Sequence, residues 1–470
     1  VTDHEIKKSS STQGLPIAPS LGPALEGAHI NRHVPLIDRR VTFLCVLSAG
    51  LAFVATGVAF VLTRLIGVIT NAAFFSRFST EFTSPAGNTL GLWVIGVPVV
   101  GAIIVGFMAR YGSKAIRGHG IPEAMEQILL NESRIPARIT WLKPLSAAIA
   151  IGTGGPFGAE GPIIATGGAL GSLLGQIIPT SATERKTLLA AGAAAGMTAT
   201  FGSPVSAVLL AVELLLFEFK PRSILPVAIA TTVAAGARIA LMGSAPVFAM
   251  PEFLPVGGLG LGIYMLEGAL LGVLAVGLTK VVYWIEDGFE HLPIHWMWWP
   301  AVGGIAVGLI GYFSPHTLGV GYDNIEQILS GNFLGTAMIY FCAMKFISWS
   351  IALGSGTSGG TLAPIFTIGG GAGAALGSAF AWLFPAAGVD VKVAALVGMA
   401  ATFAGASRAL LASIIFAFET TRQPAGLLPL LGGCTVAYLV SALLMRNTIM
   451  TERLARRGHH VPTEYSAHAP

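Results

Sequence analysis

The sequence predicts an all-α polytopic membrane protein built from two copies of one helical unit. Three observations carry that prediction: a composition suited to lipid, apolar segments broken by glycine and proline, and a self-match at constant offset. Hydrophobic residues make up 53% of the 470 and charged residues 11%, against about 25% charged in an ordinary soluble domain, and mean hydropathy is +0.73. Of the fifty Lys, Arg, Asp and Glu, nine lie in residues 1–40 and five in 452–470, so the long stretch between is lightly charged. This distribution excludes a cytosolic enzyme, a disordered chain and a coiled coil. The net charge of +4 does not indicate nucleic acid. The basic residues form short clusters between apolar runs (Arg39-Arg40; Lys114 and Arg117; Arg134, Arg138 and Lys143; Lys220 and Arg222; Arg453, Arg456 and Arg457) and read as topology signals.

Residues 1–40 are polar and rich in Pro and Ser, and are expected to form a cytoplasmic arm with one short helix near its end. Apolar segments follow at 41–70, 90–109, 141–155, 162–178, 186–200, 203–217 and 223–242. A second series runs at 260–284, 298–313, 333–353, 361–384, 392–404, 408–420 and 427–445. Several are shorter than the 20 or so residues that cross about 30 Å of hydrocarbon as a straight helix. Segments that stop halfway suit a transporter whose helix ends point at a site inside the bilayer. The sixty glycines serve either close helix packing or backbone exposed to a ligand. Cys45, Cys342 and Cys434 each sit in an apolar stretch without metal-ligand spacing and read as packing residues.

The self-match decides the organisation. At an offset of 202, Gly152, Gly154, Gly158, Pro162, Ile163, Gly167, Gly168, Gly171, Leu174 and Gly175 all recur, and Gly196-Met-Thr-Ala-Thr-Phe201 returns as Gly398-Met-Ala-Ala-Thr-Phe403. Upstream, Gly118-His-Gly120 with Glu126-Gln-Ile-Leu129 answers Gly319-Val-Gly321 with Glu326-Gln-Ile-Leu329. Three blocks in one order mark a duplication. The expected domains are the arm 1–40, repeat 1 over 41–242, repeat 2 over 260–450 and a short cytoplasmic tail 451–470.

In both copies a Gly-rich stretch leads through Pro into an apolar helix, Gly158-Ala-Glu-Gly-Pro162 and Gly360-Thr-Leu-Ala-Pro364. The first turn of such a helix has unpaired N–H groups and about half a positive charge. With the block Gly118-His-Gly-Ile-Pro122, these N-termini would form a cage of N–H donors for a desolvated anion if all point inward. Glu160 lies in the middle of the first block where the other copy has Leu362, so duplication does not account for it. A carboxylate inside the membrane costs about 2.5–3.5 kcal/mol to insert and is a functional candidate by default. Ionised, it competes with an anion for the N–H groups; protonated, it lets go.

Gly118-His-Gly-Ile-Pro-Glu123, Gly158-Ala-Glu-Gly-Pro162 and Gly359-Gly-Thr-Leu-Ala-Pro364, in this order and spacing, resemble the three signature motifs of the CLC family of chloride channels and proton-coupled chloride transporters. The resemblance covers about residues 40–460. It implies about 18 tilted and partly discontinuous helices in two inverted-topology repeats. It also implies a homodimer in a lipid bilayer, placed in a bacterial inner membrane, with one pathway per subunit for chloride or another small monovalent anion. Glu160 would be the gate of that pathway, and voltage gating and proton coupling belong to what the family offers. The implied anion-binding positions are His119, Gly120, Ile121, Ala159, Gly161, Thr361, Leu362 and Met450. Because the chain stops at 470, the paired nucleotide-binding modules of many members are expected to be absent.

Several positions depart from the family pattern. His119 stands where a serine hydroxyl usually helps hold the anion, and either donates from its imidazole or caps the helix. Ala159 replaces the usual Arg or Lys beside the gate. Met450 aligns with a tyrosine that coordinates the anion. Leu214 aligns with the inner proton-accepting glutamate of exchangers, and Glu213, one residue earlier, is expected to face about 100° away on an α-helix. These departures favour a channel-like or weakly proton-coupled pathway over a proton/chloride antiporter. A fluoride or nitrate specialist shares the same cage. From other classes, Gly356-Thr-Ser-Gly359 matches the G-x-S-G of intramembrane serine proteases, which need a His base beside the serine, and a cation carrier would need more acidic or carbonyl ligands. No cofactor, metal or enzymatic activity is implied.

Overall fold

The computed structural model describes residues 37–459 and 461. Most of the expected arm, its short helix, and the tail beyond 461 lie outside the described residues. The described chain forms seventeen α-helices: α1 Arg39–Phe75, α2 Gly96–Phe107, α3 Ile121–Leu130, α4 Ile139–Gly152, α5 Glu160–Ile177, α6 Ala182–Phe201, α7 Pro204–Ala211 and α8 Pro221–Met242, then α9 Gly258–Glu290, α10 Trp299–Phe313, α11 Tyr322–Leu329, α12 Gly335–Gly354, α13 Leu362–Leu383, α14 Val391–Ser407, α15 Leu410–Thr421, α16 Leu427–Leu444 and α17 Glu452–Arg456. Eight helices are long and apolar enough to cross a membrane, and α4, α7, α14 and α15 are apolar but shorter. Each apolar segment read from the sequence lies on one of these helices. The short α3, α11 and α17 fall outside those segments.

Local chemistry explains the helix ends. Asp38 caps α1 by accepting from the Val41 N–H at 2.8 Å. In α6, Ser181 accepts from the Glu184 N–H while Glu184 reaches back to the Ser181 N–H, a capping box, and the helix stops at Gly202 in the left-handed region. Glycine permits the tightest crossings. A side chain at Gly167 of α5 would strike the Gly192 carbonyl of α6, and one at Gly192 would strike the Gly167 carbonyl; Gly369 of α13 and Gly398 of α14 stand in the same mutual relation. Helix packing therefore accounts for the glycines inside these helices.

The first eight helices and the next eight follow one packing scheme. α5 lies on α6 as α13 lies on α14, and α1 lies on α6 and α8 as α9 lies on α14 and α16. The halves meet where α2 packs on α10 and α7 on α15. Gly158 and Gly360, related by the offset of 202, exchange backbone hydrogen bonds at 3.2 and 2.9 Å in an antiparallel bridge. An antiparallel exchange between equivalent residues is locally two-fold symmetric, so the two copies run in opposite senses there. At the second meeting, Glu213 after α7 accepts from the Leu411 and Ala412 N–H groups of α15, and Glu419 of α15 accepts from the Val205 and Ser206 N–H groups of α7. Each carboxylate caps the other copy's helix.

Candidate anion pathway

The N-termini of α3, α5 and α13 converge. Gly120, with φ of 97°, turns the chain into α3 in a conformation that favours glycine. A side chain there would strike the Gly161 carbonyl at the start of α5. One at Gly161 would strike the His119 carbonyl and stand 3.0 Å from the Gly360 Cα. His119, Gly120, Ile121, Ala159, Gly161, Thr361 and Leu362 thus belong to one assembly, and all are buried. Neither Ala159 before α5 nor Thr361 before α13 caps its helix with a side chain, which leaves first-turn N–H groups free for an anion.

The Glu160 side chain lies inside this assembly with no exposed surface. Its Oε1 accepts a 2.7 Å hydrogen bond from the Tyr322 hydroxyl. A Cβ on Gly360 would stand 3.0 Å from its Oε2, which has no hydrogen-bond partner; the carboxyl group as a whole faces the Glu160 and Ala363 N–H groups. A side chain at Gly158 would overlap the carboxylate. Gly158 and Gly360 therefore make room for the Glu160 carboxyl group, a different task from that of the glycines within α5 and α13. The carboxylate occupies ground that a small anion would need.

Two buried lysines hold the loops that enter the site. Lys143 Nζ donates to the Ile116 and Gly118 carbonyls at 2.8 and 2.9 Å. Lys345 Nζ, 202 residues on, donates to the Thr317 and Gly319 carbonyls, both at 2.9 Å. This corrects the sequence reading of Lys143 as a topology signal: it is 1% exposed and fixes the loop before α3. Losing the Lys345 ammonium would take the side-chain donor from two buried carbonyls, at about 1–3 kcal/mol each, whereas losing Lys143 would do so at Ile116, the Gly118 carbonyl keeping the Gly359 N–H at 3.4 Å. Its repeat partner at 345 was the signal that sequence reasoning overlooked, as it overlooked Tyr322.

His119 is 6% exposed and its Nδ1 is buried without a partner. The bond that caps the Gly120 N–H comes from Glu123 at 2.6 Å, not from the imidazole. The other oxygen of Glu123 accepts from Arg453 of α17 at 2.9 Å, and Arg453 also binds Glu286 of α9 at 2.8 Å. α17 is thereby tied to the N-terminus of α3. Met450, just before α17, has no exposed surface. Its position is set by the bonds of Thr448 Oγ1 to the Met450 N–H at 3.2 Å and of Tyr283 to the Ile449 carbonyl at 2.8 Å.

A cavity of about 520 Å³ opens on the α17 side. Glu213, Leu214, Met125, Ser407, Arg408, Arg446 and Thr448 are among its lining residues. Glu213 and Leu214 lie in a π-helical turn, Val212–Leu216, and, against the expectation that they face apart, both line this cavity. The Glu213 carboxylate is engaged by two backbone N–H groups, at 2.9 and 3.0 Å. Ser358 of the G-x-S-G stretch is bonded to Ser146 Oγ at 3.1 Å and not to an imidazole. Among the described residues no cluster of three or more His, Cys, Asp or Glu is arranged to hold a metal.

Inverted helical copies around a shared set of helix N-termini define an ion-transport class of membrane protein, and the comparisons specify it. The sequence profile described as "Voltage gated chloride channel" matches residues 100–442, and the chain belongs to that family, the CLC family. It is 30% identical over 398 residues to the H(+)/Cl(-) exchange transporter ClcA of Vibrio campbellii, covering 82% of this chain and 84% of that protein. It is 28% identical over 377 residues to chloride channel protein CLC-f of Arabidopsis thaliana, spanning 74% of this chain and 47% of that one. Its fold matches that of a slow cyanobacterial Cl−/H+ antiporter, with a TM-score of 0.77, 23% identity and coverage of 87% and 97%. It also matches a CLC-type fluoride/proton antiporter, with a TM-score of 0.68, 21% identity and coverage of 85% and 95%.

Proposed function

We propose that this multi-pass membrane protein conducts chloride or a similar small monovalent anion along a pathway gated by Glu160, with proton coupling weak or absent. The observation that carries this reading is the Glu160 carboxyl group, buried between the N-terminus of its own helix and that of α13. Helix N-termini attract an anion without presenting a full positive charge that would hold it too tightly to leave. Ionised Glu160 competes for those N–H groups, and a proton on Glu160 removes the competing charge. His119, Gly120 and Ile121 at α3, Ala159 and Gly161 at α5, and Thr361 and Leu362 at α13 surround the anion, with Met450 on the α17 side. The protein works as a homodimer in a cell membrane, one pathway per subunit.

Weak coupling is supported by Leu214, which offers no acid where the cavity meets the core, and by Glu213, whose carboxylate is committed to two N–H groups of α15. Proton/chloride antiport is the second reading. It is favoured by the position of Glu213 on the wall of the cavity and by the exchange transporters among the relatives. The same cage suits fluoride or nitrate. The test is flux of chloride, fluoride and nitrate in proteoliposomes as a function of pH. Glu160→Gln is expected to raise flux at neutral pH and to flatten its pH dependence, because a neutral amide does not compete as a charge. Unchanged flux and unchanged pH response in that variant would remove Glu160 from the gate.

A further inference from the structure

We propose that Tyr322 is a positioning residue for the gate, its hydroxyl latching the Glu160 carboxylate in the blocking position. This rests on the reading of Glu160 as the gate.

The duplication is broken in symmetry at the gate. Glu160 corresponds to Leu362 and Tyr322 to Ile121, the residue after Gly120 in the first copy. Two positions at which the copies differ in polarity therefore meet, through the 2.7 Å hydrogen bond from Tyr322 to Glu160 Oε1. Their counterparts, Leu362 and Ile121, are both apolar and fully buried. The polar pair exists on one side of the pseudo-two-fold only.

The tyrosine is held for this task. Gly321, with φ of 77°, turns the chain into α11. The preceding loop is fixed by Lys345 on the Thr317 and Gly319 carbonyls and by the Gly319 N–H on the Gly154 carbonyl at 3.1 Å. The ring packs against Phe82, Phe201 and Phe248, with centroids 6.3, 5.8 and 6.0 Å away. Phe201 continues the aromatic cluster to Phe416. Three rings restrict the phenol and hold its hydroxyl toward Glu160. The groups of titratable or charged character that face Glu160 are Tyr322 of α11 and the Lys345 ammonium of α12, with Asp323 of α11 beside Lys345.

A donor to the ionised carboxylate favours the charged, blocking form. Removing the hydroxyl while retaining the ring therefore makes the gate open at lower proton concentration. The experiment is chloride flux against pH in proteoliposomes for the wild type, Tyr322→Phe, Glu160→Gln and the double variant. Tyr322→Phe is expected to move the midpoint of the pH profile to the alkaline side by about one to two pH units, with a several-fold rise in flux near neutral pH. It should have no further effect in the Glu160→Gln background. A wild-type pH profile in Tyr322→Phe, with Glu160→Gln still altered, would overturn the latch and leave the gate standing. An equal effect of Tyr322→Phe in both backgrounds would also overturn it, since the hydroxyl would then act on structure and not through Glu160. An unaltered Glu160→Gln would overturn the gate and the latch together.

Discussion

His119 presents a buried Nδ1 with no partner at the mouth of α3, and its carbonyl packs on Gly161 of α5. Glu123 supplies the cap, which frees the imidazole for an anion. Burial pushes the imidazole below its ordinary value, so near neutral pH it is uncharged and offers a single N–H donor. His119→Ser exchanges that donor for a hydroxyl and should change chloride affinity. Calorimetry of chloride binding at about pH 8 checks this, and identical binding in wild type and variant would make His119 structural. Glu160 was legible in the sequence because a carboxylate in an apolar block stands out, and His119 because it replaces an expected serine. Tyr322 was not legible. A tyrosine at the start of a helix carries no signal until the pseudo-two-fold lays it on Glu160.

The short helices owe their positions to contacts that cross between the copies. α7 and α15 are too short to span and are joined by the reciprocal bonds of Glu213 and Glu419. A carboxylate accepting two N–H groups at a helix start gains from both hydrogen bonding and the helix dipole. Glu213→Gln and Glu419→Gln should therefore each destabilise the protein by about 1–2 kcal/mol, read as similar losses in thermal stability in detergent. If Glu213 is only a cap, the two variants match in anion and proton movement as well. Altered proton movement in Glu213→Gln alone would give it the inner proton role. This partnership is not legible in the sequence, because Glu419 lies 206 residues after Glu213 and not 202. Amphipathic α3 and α11 were missed as helices for a related reason: they are short and carry Glu, Asp and Asn among their apolar residues, so a search for apolar segments passes over them.

At the scale of the whole molecule, duplication explains why so much of the architecture was readable. Gly158 and Gly360 recur because both copies need the same backbone approach, and they meet in one bridge, while Gly118 forms a second bridge with Ser358. The matched lysines, 143 and 345, follow the same logic, but a lysine in a basic cluster resembles an ordinary topology signal until its burial is known. The proposed function uses the positions where the copies differ: Glu160 against Leu362, Tyr322 against Ile121, and His119 against Val320. Those differences bring the Tyr322–Glu160 pair together on one side of the centre, and the wall of the α17-side cavity carries Leu214 and a Glu213 committed to N–H groups of α15. A gate that binds a proton need not transport it. The direct measurement is simultaneous recording of chloride and protons in sealed proteoliposomes, with a chloride gradient and the membrane potential clamped. The account predicts chloride flux that responds to pH without sustained proton movement. Protons driven against their gradient by chloride, and no longer driven in Glu160→Gln, would contradict it and establish antiport.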